Sequence, residues 1–391
     1  MQLSIIILNY NVRYFLEQCV MSVKKATENL DAEIIVVDNN SSDDSCQMMK
    51  ERFPNITLIQ NKENSGFPKG NNIGVNLAKG KFICILNPDT VVAEDTFEKT
   101  LAFAQKQNDL GIVGVKLIDG TGNFLPESKR GVPKPFTAFS KITGLYKFSK
   151  SLNKYYAAHL SENETGKVEI LVGAFMLMKR ETYLEVGGFD ENCFMYSDDI
   201  DLSYMVLKTG KSNYYFHETT VIHYKGESTV KDEMYMKRFR EAMDFFYRKH
   251  FRVSLFFDSF MKIGAYFFAI FKKNQVGEKR EIKQYRLASD DEELKNTVSS
   301  VTGKPVDFQA ETAFEETVIK PNTEMIFDAS YLTFKEIISR MEFRANSGMT
   351  FKIAHKNEGF LIGSNSSNDR GEVVKLTLHR YRVADGLKNG L

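Results

Sequence analysis

Leu3-Ser-Ile-Ile-Ile-Leu-Asn-Tyr-Asn11 decides how this chain is read: an apolar, β-branched run that stops at two asparagines. A run without polar alternation has the composition of a strand covered on both faces, as in a parallel sheet. Val12, Phe15, Leu16, Cys19, Val20 and Val23 then recur at helical spacing, which predicts a helix over about 13–28. Glu33-Ile-Ile-Val-Val-Asp38 repeats the buried-strand pattern, followed by a polar turn over 39–44, a helix reaching Phe53 and a strand at 57–60. Lys81-Phe-Ile-Cys-Ile-Leu86 is a further strand, ending at Asn87-Pro-Asp89. Strands alternating with helices at this spacing predict βαβ units, hence an α/β fold with a mostly parallel sheet flanked by helices.

The 391 residues are 42% apolar and 26% charged, which excludes collagenous and wholly disordered classes. A net charge of +1 offers no bulk electrostatic argument for a nucleic-acid partner. Cys19, Cys46, Cys84 and Cys193 form neither a CxxC pair nor a finger spacing, so buried thiols in a reducing, cytoplasmic compartment are expected rather than a disulfide scaffold. The first residues lack the basic region and cleavage site of a signal peptide. No uncharged apolar stretch approaches the roughly 20 residues of a membrane span.

Residues 120–166 are loop-rich, with Pro126, Pro133 and Pro135. Beyond them the patterns predict strand character over 168–179, helices over 180–186, 199–209 and 231–250, and strands near 213–216 and 220–222. This divides the chain into an α/β domain (1–250), an apolar helix (251–273), a charged linker (274–322) and a small α+β C-terminal module (323–391) that carries no chemical motif. The helix, most apolar over 255–271, is flanked by Arg248, Lys249, Arg252, Lys272 and Lys273. Such a helix either lies in a membrane interface or docks on the protein core.

Open parallel sheets bind ligands at the carboxyl ends of their strands. Asn9 and Asn11 follow the first strand, Asp38 and Asn39 the second, and Asn87 and Asp89 the strand over 82–86. Each alone is an ordinary turn or cap residue, but their shared position along the strands is not. Neither GxGxxG nor GxxxxGK[ST] is present, so dinucleotide and P-loop phosphate cradles are missing. A carboxylate on a turn fixed by Pro88 suits a divalent cation that completes its shell with phosphate oxygens and water.

Asn9-Tyr-Asn11, Val37-Asp-Asn-Asn-Ser-Ser-Asp43, Asn64-Ser-Gly-Phe-Pro-Lys-Gly-Asn-Asn-Ile-Gly74 and Leu86-Asn-Pro-Asp89 together resemble family 2 glycosyltransferases of the GT-A fold, in their rhamnosyltransferase-like branch. Gly173-Ala-Phe-Met-Leu-Met-Lys-Arg180, Gly187-Gly-Phe-Asp190, Met195-Tyr-Ser-Asp-Asp-Ile-Asp-Leu202 and His223 continue the resemblance, which covers residues 1–250. It implies a Rossmann-like mixed sheet and an inverting, Mg²⁺- or Mn²⁺-dependent transfer of a sugar, rhamnose in this branch, from a nucleotide diphosphate. The acceptor it implies is a glycan or lipid-linked glycan at the cytoplasmic membrane face, in surface polysaccharide assembly, with peripheral membrane contact and no nucleic acid.

By the same resemblance Asp38 contacts the base or ribose beside Asn9 and Asn11, while Asn64, Gly66, Lys69 and Asn72 lie along the donor. Asn87 and Asp89 match the family's D-x-D motif with Asn in first place, which leaves Asp89 as metal ligand with His223 as the second. Asp199 is the expected base, with Asp198 as the fallback; a carboxylate near others has a raised pKa, which improves it as a base. Arg130, with Lys129 beside it, would neutralise diphosphate charge. Tyr196, next to the acidic cluster, would either stack on a sugar or belong to the core. A sugar nucleotidyltransferase and a non-catalytic carbohydrate-binding scaffold remain the alternatives; the first needs a Gly-rich phosphate loop after strand one, the second predicts missing acidic residues.

Overall fold

The computed structural model describes residues 1–133, 157, 159–225, 233–251, 281–309, 322–365 and 371–376. Strand β1 (Leu3–Asn9), buried throughout, lies between β2 (Ala32–Asp38) and β4 (Phe82–Leu86), parallel to both. Helices α1 (Arg13–Thr27) and α2 (Ser45–Arg52), strand β3 (Thr57–Gln60) and helix α3 (Gly66–Leu77) complete the expected βαβ units. There follow β5 (Thr90–Val91), α4 (Thr96–Gln105), β6 (Leu110–Ile118), β7 (Gly166–Val168), β8 (Phe175–Lys179), α5 (Arg180–Glu185), α6 (Asp198–Lys208), β9 (Ser212–His223) and α7 (Glu233–His250).

These strands form one nine-stranded sheet in the order β3-β2-β1-β4-β8-β6-β9-β5, with β7 paired to β9. β8 runs antiparallel between β4 and β6, whereas β6 and β9 are parallel. The mixed sheet with helices on its faces is the one expected. The two short strands expected near 213 and 220 are one strand, its register shifted between Val115 and Lys116 of its β6 neighbour.

Helices α3 and α4 and strand β6 escaped the sequence patterns. In α3 the reason is plain, because Gly66-Phe-Pro-Lys-Gly-Asn-Asn-Ile-Gly74 has the composition of a loop. Packing overrides propensity there: a Cβ on Gly70 would meet Leu8 Cδ1 at 2.4 Å, and one on Gly74 would meet Ile6 Cγ2 at 2.6 Å. The glycines let the helix lie directly on β1.

The expected linker is a correction. Within its described part, 281–309, stand β10 (Gln284–Ala288), α8 (Glu292–Thr302) and β11 (Val306–Phe308). Leu294 and Val298, one turn apart on α8, are buried, and Asp291 caps the helix by accepting from Leu294 N. The charges occupy the solvent face of that helix and mask the apolar pair that anchors it. β12 (Thr323–Asp328), α9 (Phe334–Phe343), β13 (Thr350–His355), β14 (Phe360–Gly363) and β15 (Glu372–Lys375) complete a six-stranded sheet, ordered β11-β10-β12-β13-β14-β15.

This C-terminal module shares a core with the first sheet. Val12, Phe15, Val91, Ile118, Ile222 and Tyr224 pack in one cluster with Met325, Phe334, Ile337, Met341, Phe351 and Phe360. Glu94 accepts from the backbone N–H groups of Phe334 and Lys335 at 2.8 and 2.9 Å, so the first sheet's own carboxylate caps α9. Residues 255–271 lie outside the described residues, among which no helix is long and apolar enough to cross a membrane.

Candidate active site

The parallel register sets Asn9 directly beside Asp38. Asn9 Nδ2 donates to Asp38 Oδ1 at 2.7 Å and to Ser41 Oγ at 3.0 Å, while Ser41 N donates to Asp38 Oδ2 at 2.9 Å. Asp38 is thus a buried, pre-oriented carboxylate whose oxygens each retain a further lone pair. Asn11, exposed and left-handed at φ 56°, accepts from Ser42 N at 2.7 Å and so ties the two strand-end loops together. Asn39, which the sequence offers only as Asp38's neighbour, is a hub: its amide holds Asn64 Oδ1, Gly66 O, Asn61 Nδ2 and Ser65.

Gly66, at φ 81°, opens α3 against the exposed ring of Phe194; a Cβ there would stand 2.9 Å from Phe194 O. Lys69 is exposed on the same helix. Asn72 departs from expectation. Its Nδ2 donates to Phe189 O and Glu191 Oε1 at 2.9 Å each, and its Oδ1 accepts from Tyr183 Oη and Phe189 N. Its side-chain amide is thus engaged by Tyr183, Phe189 and Glu191, which flank and include the Gly187–Asp190 turn.

β5 pairs Thr90 with His223, which brings the 87–89 turn against the end of β9. His223 Nε2 lies 3.4 Å from Asp89 Oδ1 and 3.3 Å from Asn87 Nδ2. Asn87 Oδ1 and His223 Nδ1 are buried without a hydrogen-bond partner. Glu127 joins this group through an ion pair with Lys225; burial raises its carboxyl, but the charge and hydrogen bond of Lys225 more than offset this and hold it below the usual range. The Glu127–Lys225 pair was not legible in the sequence, since the two residues are |i−j| = 98 apart.

The acidic pair stands at the first turn of α6, where the helix dipole favours negative charge. Asp199 Oδ2 accepts from Arg130 at 2.6 Å and from Gly173 N at 3.1 Å. Arg130 therefore has a different partner from the one expected: its buried guanidinium serves Asp199 and Leu171 O rather than standing open as a diphosphate cation. Lys129 is likewise buried, donating to Ala157 O and Leu160 O. Tyr196 occupies the left-handed region at φ 82°. One segment links the two acidic sites, because Asn87 N donates to Ala174 O at 3.0 Å while Gly173 N holds Asp199.

Burial first, and the Asp199 charge second, push the Asp198 carboxyl up to about 7. The native state then holds a proton that the unfolded chain releases near pH 4, so stability falls as pH rises from about 4 to about 7. Asp198→Asn removes that slope. Urea unfolding is expected to show the variant gaining on the order of 3 kcal/mol over the wild type between pH 4.5 and pH 8. An equal difference at both pH values would contradict the assignment.

The model for glycosyl transferase family 2 matches residues 4–187. N-acetylglucosaminyl-diphospho-decaprenol L-rhamnosyltransferase of Mycobacterium tuberculosis is 25% identical over 243 residues, 59% of this chain and 78% of that protein. Rhamnosyltransferase WbbL of Escherichia coli is 27% identical over 214 residues, 52% of this chain and 78% of that protein. A solved mannosyltransferase, PcManGT from Pyrobaculum calidifontis in complex with GDP-Man and Mn²⁺, is 17% identical at TM-score 0.45, covering 68% and 69% of the two chains. Every strand-end loop from Asn9 to Asp89 falls inside the family match, and both rhamnosyltransferases align over most of their own length. Residues 4–187 therefore match glycosyl transferase family 2, and the chain is a glycosyltransferase similar to the rhamnosyltransferase-like branch of that family.

Proposed function

We propose that this glycosyltransferase is inverting and metal-dependent, moving a sugar, rhamnose by analogy with its relatives, from a nucleotide diphosphate to a glycan or lipid-linked glycan acceptor. The single observation that carries this is the link through Gly173 and Ala174, which holds the Asp89–His223 group and the Asp198–Asp199 pair at the two ends of one dipeptide. A displacement with inversion needs a leaving-group site and a base on opposite sides of one anomeric carbon.

Asp89 with His223 would hold Mg²⁺ or Mn²⁺, and the orphaned Asn87 Oδ1 adds a hard oxygen to a donor set suited to such ions. Among the described residues no three His, Cys, Asp or Glu side chains cluster as a metal site. Bound there, the ion would neutralise charge on the departing nucleoside diphosphate. Asp38 accepts from the base or ribose, with Asn9 and Ser41 keeping its carboxylate in place. The acceptor oxygen bonds to the anomeric carbon as the bond to the diphosphate oxygen breaks. With Oδ2 held by Arg130 and Gly173, Oδ1 of Asp199 takes the hydroxyl proton, and Asp198 is the reserve carboxylate.

The Mycobacterium tuberculosis relative is named for a diphospho-decaprenol acceptor. That name favours a lipid-linked acceptor for this chain, and the proposal sets the transfer at the cytoplasmic face of a membrane, in surface polysaccharide assembly. A thermal-shift screen of nucleotide sugars with and without Mn²⁺ tests the donor and the ion together. One donor is expected to stabilise the wild type only with Mn²⁺, and Asp89→Asn is expected to lose that shift. Transfer that survives both EDTA and Asp89→Asn would refute the metal dependence.

A further inference from the structure

Helix α1 stands between the two sheets and touches both. On one side Cys19 Sγ lies 3.5 Å from both Asn87 O and Thr90 Oγ1, and Val92 N donates to Ser22 Oγ at 3.2 Å, so the helix holds the loop that carries Asp89. On the other side Tyr14 meets Phe360 edge-on at 5.1 Å, and Lys25 Nζ donates to Ala329 O at 3.4 Å.

Between these contacts runs a line of buried polar groups. Gln18 Nε2 donates to Tyr224 Oη at 3.0 Å, and Gln18 Oε1 lies 2.9 Å from His355 Nε2 on β13. A carbonyl oxygen only accepts, so His355 carries its proton on Nε2. Gln18 is 1% exposed, Tyr224 1% and His355 3%. Tyr224 follows His223 directly, its backbone N–H donates to Asp89 O at 3.0 Å, and its ring meets Phe15 at 5.2 Å. The surrounding cluster is apolar and would close with leucine at position 18. A polar line through it is costly unless every member is satisfied, and here Gln18 satisfies a group on each side of the seam.

We infer that the C-terminal module sets the position of His223 through the buried relay His355–Gln18–Tyr224. These three are positioning residues, and the module is a working part of the transferase domain rather than an appendage. The relay's effect on an ion rests on the proposed metal site; its effect on the place of His223 does not.

The test uses full-length protein carrying ¹³C-labelled histidine, with the His223 NMR signal assigned by its loss in His223→Gln. Gln18→Leu and His355→Phe are expected to displace that signal, whereas His355→Gln, which restores a donor where Nε2 stood, leaves it in place. Ile338→Ala opens a cavity in the same shared core without removing a relay hydrogen bond and serves as the packing control. Binding of Mn²⁺ alone, followed by electron paramagnetic resonance, is expected to weaken about fivefold or more in the two relay-breaking variants, close to 1 kcal/mol by affinity arithmetic. An unmoved His223 signal in Gln18→Leu overturns the relay, and so does an equal displacement in Ile338→Ala. Should Gln18→Leu fail to fold, Tyr224→Phe removes a single hydroxyl, and an unmoved His223 signal in that variant overturns the relay equally. A wild type that binds no Mn²⁺ refutes the metal site alone, and the NMR comparison still judges the relay.

Discussion

Asp199→Asn is expected to lower transfer by roughly 10²- to 10⁴-fold, the usual worth of a positioned general base, while the donor binds as before. The amide has nearly the shape of the carboxylate, and Arg130 and Gly173 N can still donate to its oxygen, so the first turn of α6 keeps its geometry. What is lost is the capacity to accept the acceptor's proton. Single-turnover transfer measured beside calorimetric donor titration separates the two effects. Asp198→Asn should cost less, because Asp198 is the partner that burial keeps protonated toward neutrality. Near-normal turnover in Asp199→Asn with an inactive Asp198→Asn would exchange the two roles.

The largest expected loss of stability lies far from the chemistry. Lys352 on β13 is 3% exposed, with Nζ 2.8 Å from Glu324 Oε1 and 2.9 Å from Glu372 Oε2, and Thr350 also donates to Glu324. Lys352→Met keeps the apolar stem and removes the ammonium, which leaves Glu324 buried and uncompensated. Breaking a buried pair from one side costs about 3–5 kcal/mol. Because the module and the first sheet share one core, urea unfolding should lose the module's amide-exchange protection and transferase activity in a single transition, at a lower midpoint than in the wild type. Two separated transitions would show that the module folds apart from the rest.

How legible the molecule was depends on the range of the physics involved. β1, β2 and β4 were readable because unbroken β-branched runs fit only strands covered on both faces, and the residues at their ends follow from the strands. The Asn9–Asp38 pair was readable for the same reason, since a parallel register aligns the last residues of neighbouring strands. α3 was not, because its Gly, Pro and Asn content argues for a loop until β1 is laid beneath it. The ordered 281–309 stretch was hidden by charges on one helix face, with only Leu294 and Val298 to betray the other.

The crevice, taken residue by residue, shows the same division. Asp38, Asn87, Asp89, Asp198 and Asp199 could be singled out because each sits at a strand end or a helix start, positions that a few neighbouring residues determine. Their partners could not. Arg130 and Asp199 are |i−j| = 69 apart, Asn87 and His223 136, and Gln18 and His355 337, and no local pattern encodes which distant chain returns to meet them. The sequence by itself determined the fold class, the family motifs and the strand ends at which the proposed site lies, because β-branched runs and turn residues act over a few positions. Only the tertiary structure decided that Arg130 bonds a carboxylate, that Asn72 bonds Tyr183, Phe189 and Glu191, and that the C-terminal module belongs to the same core. Those outcomes depend on how buried charges and amides find partners once the chain has closed on itself.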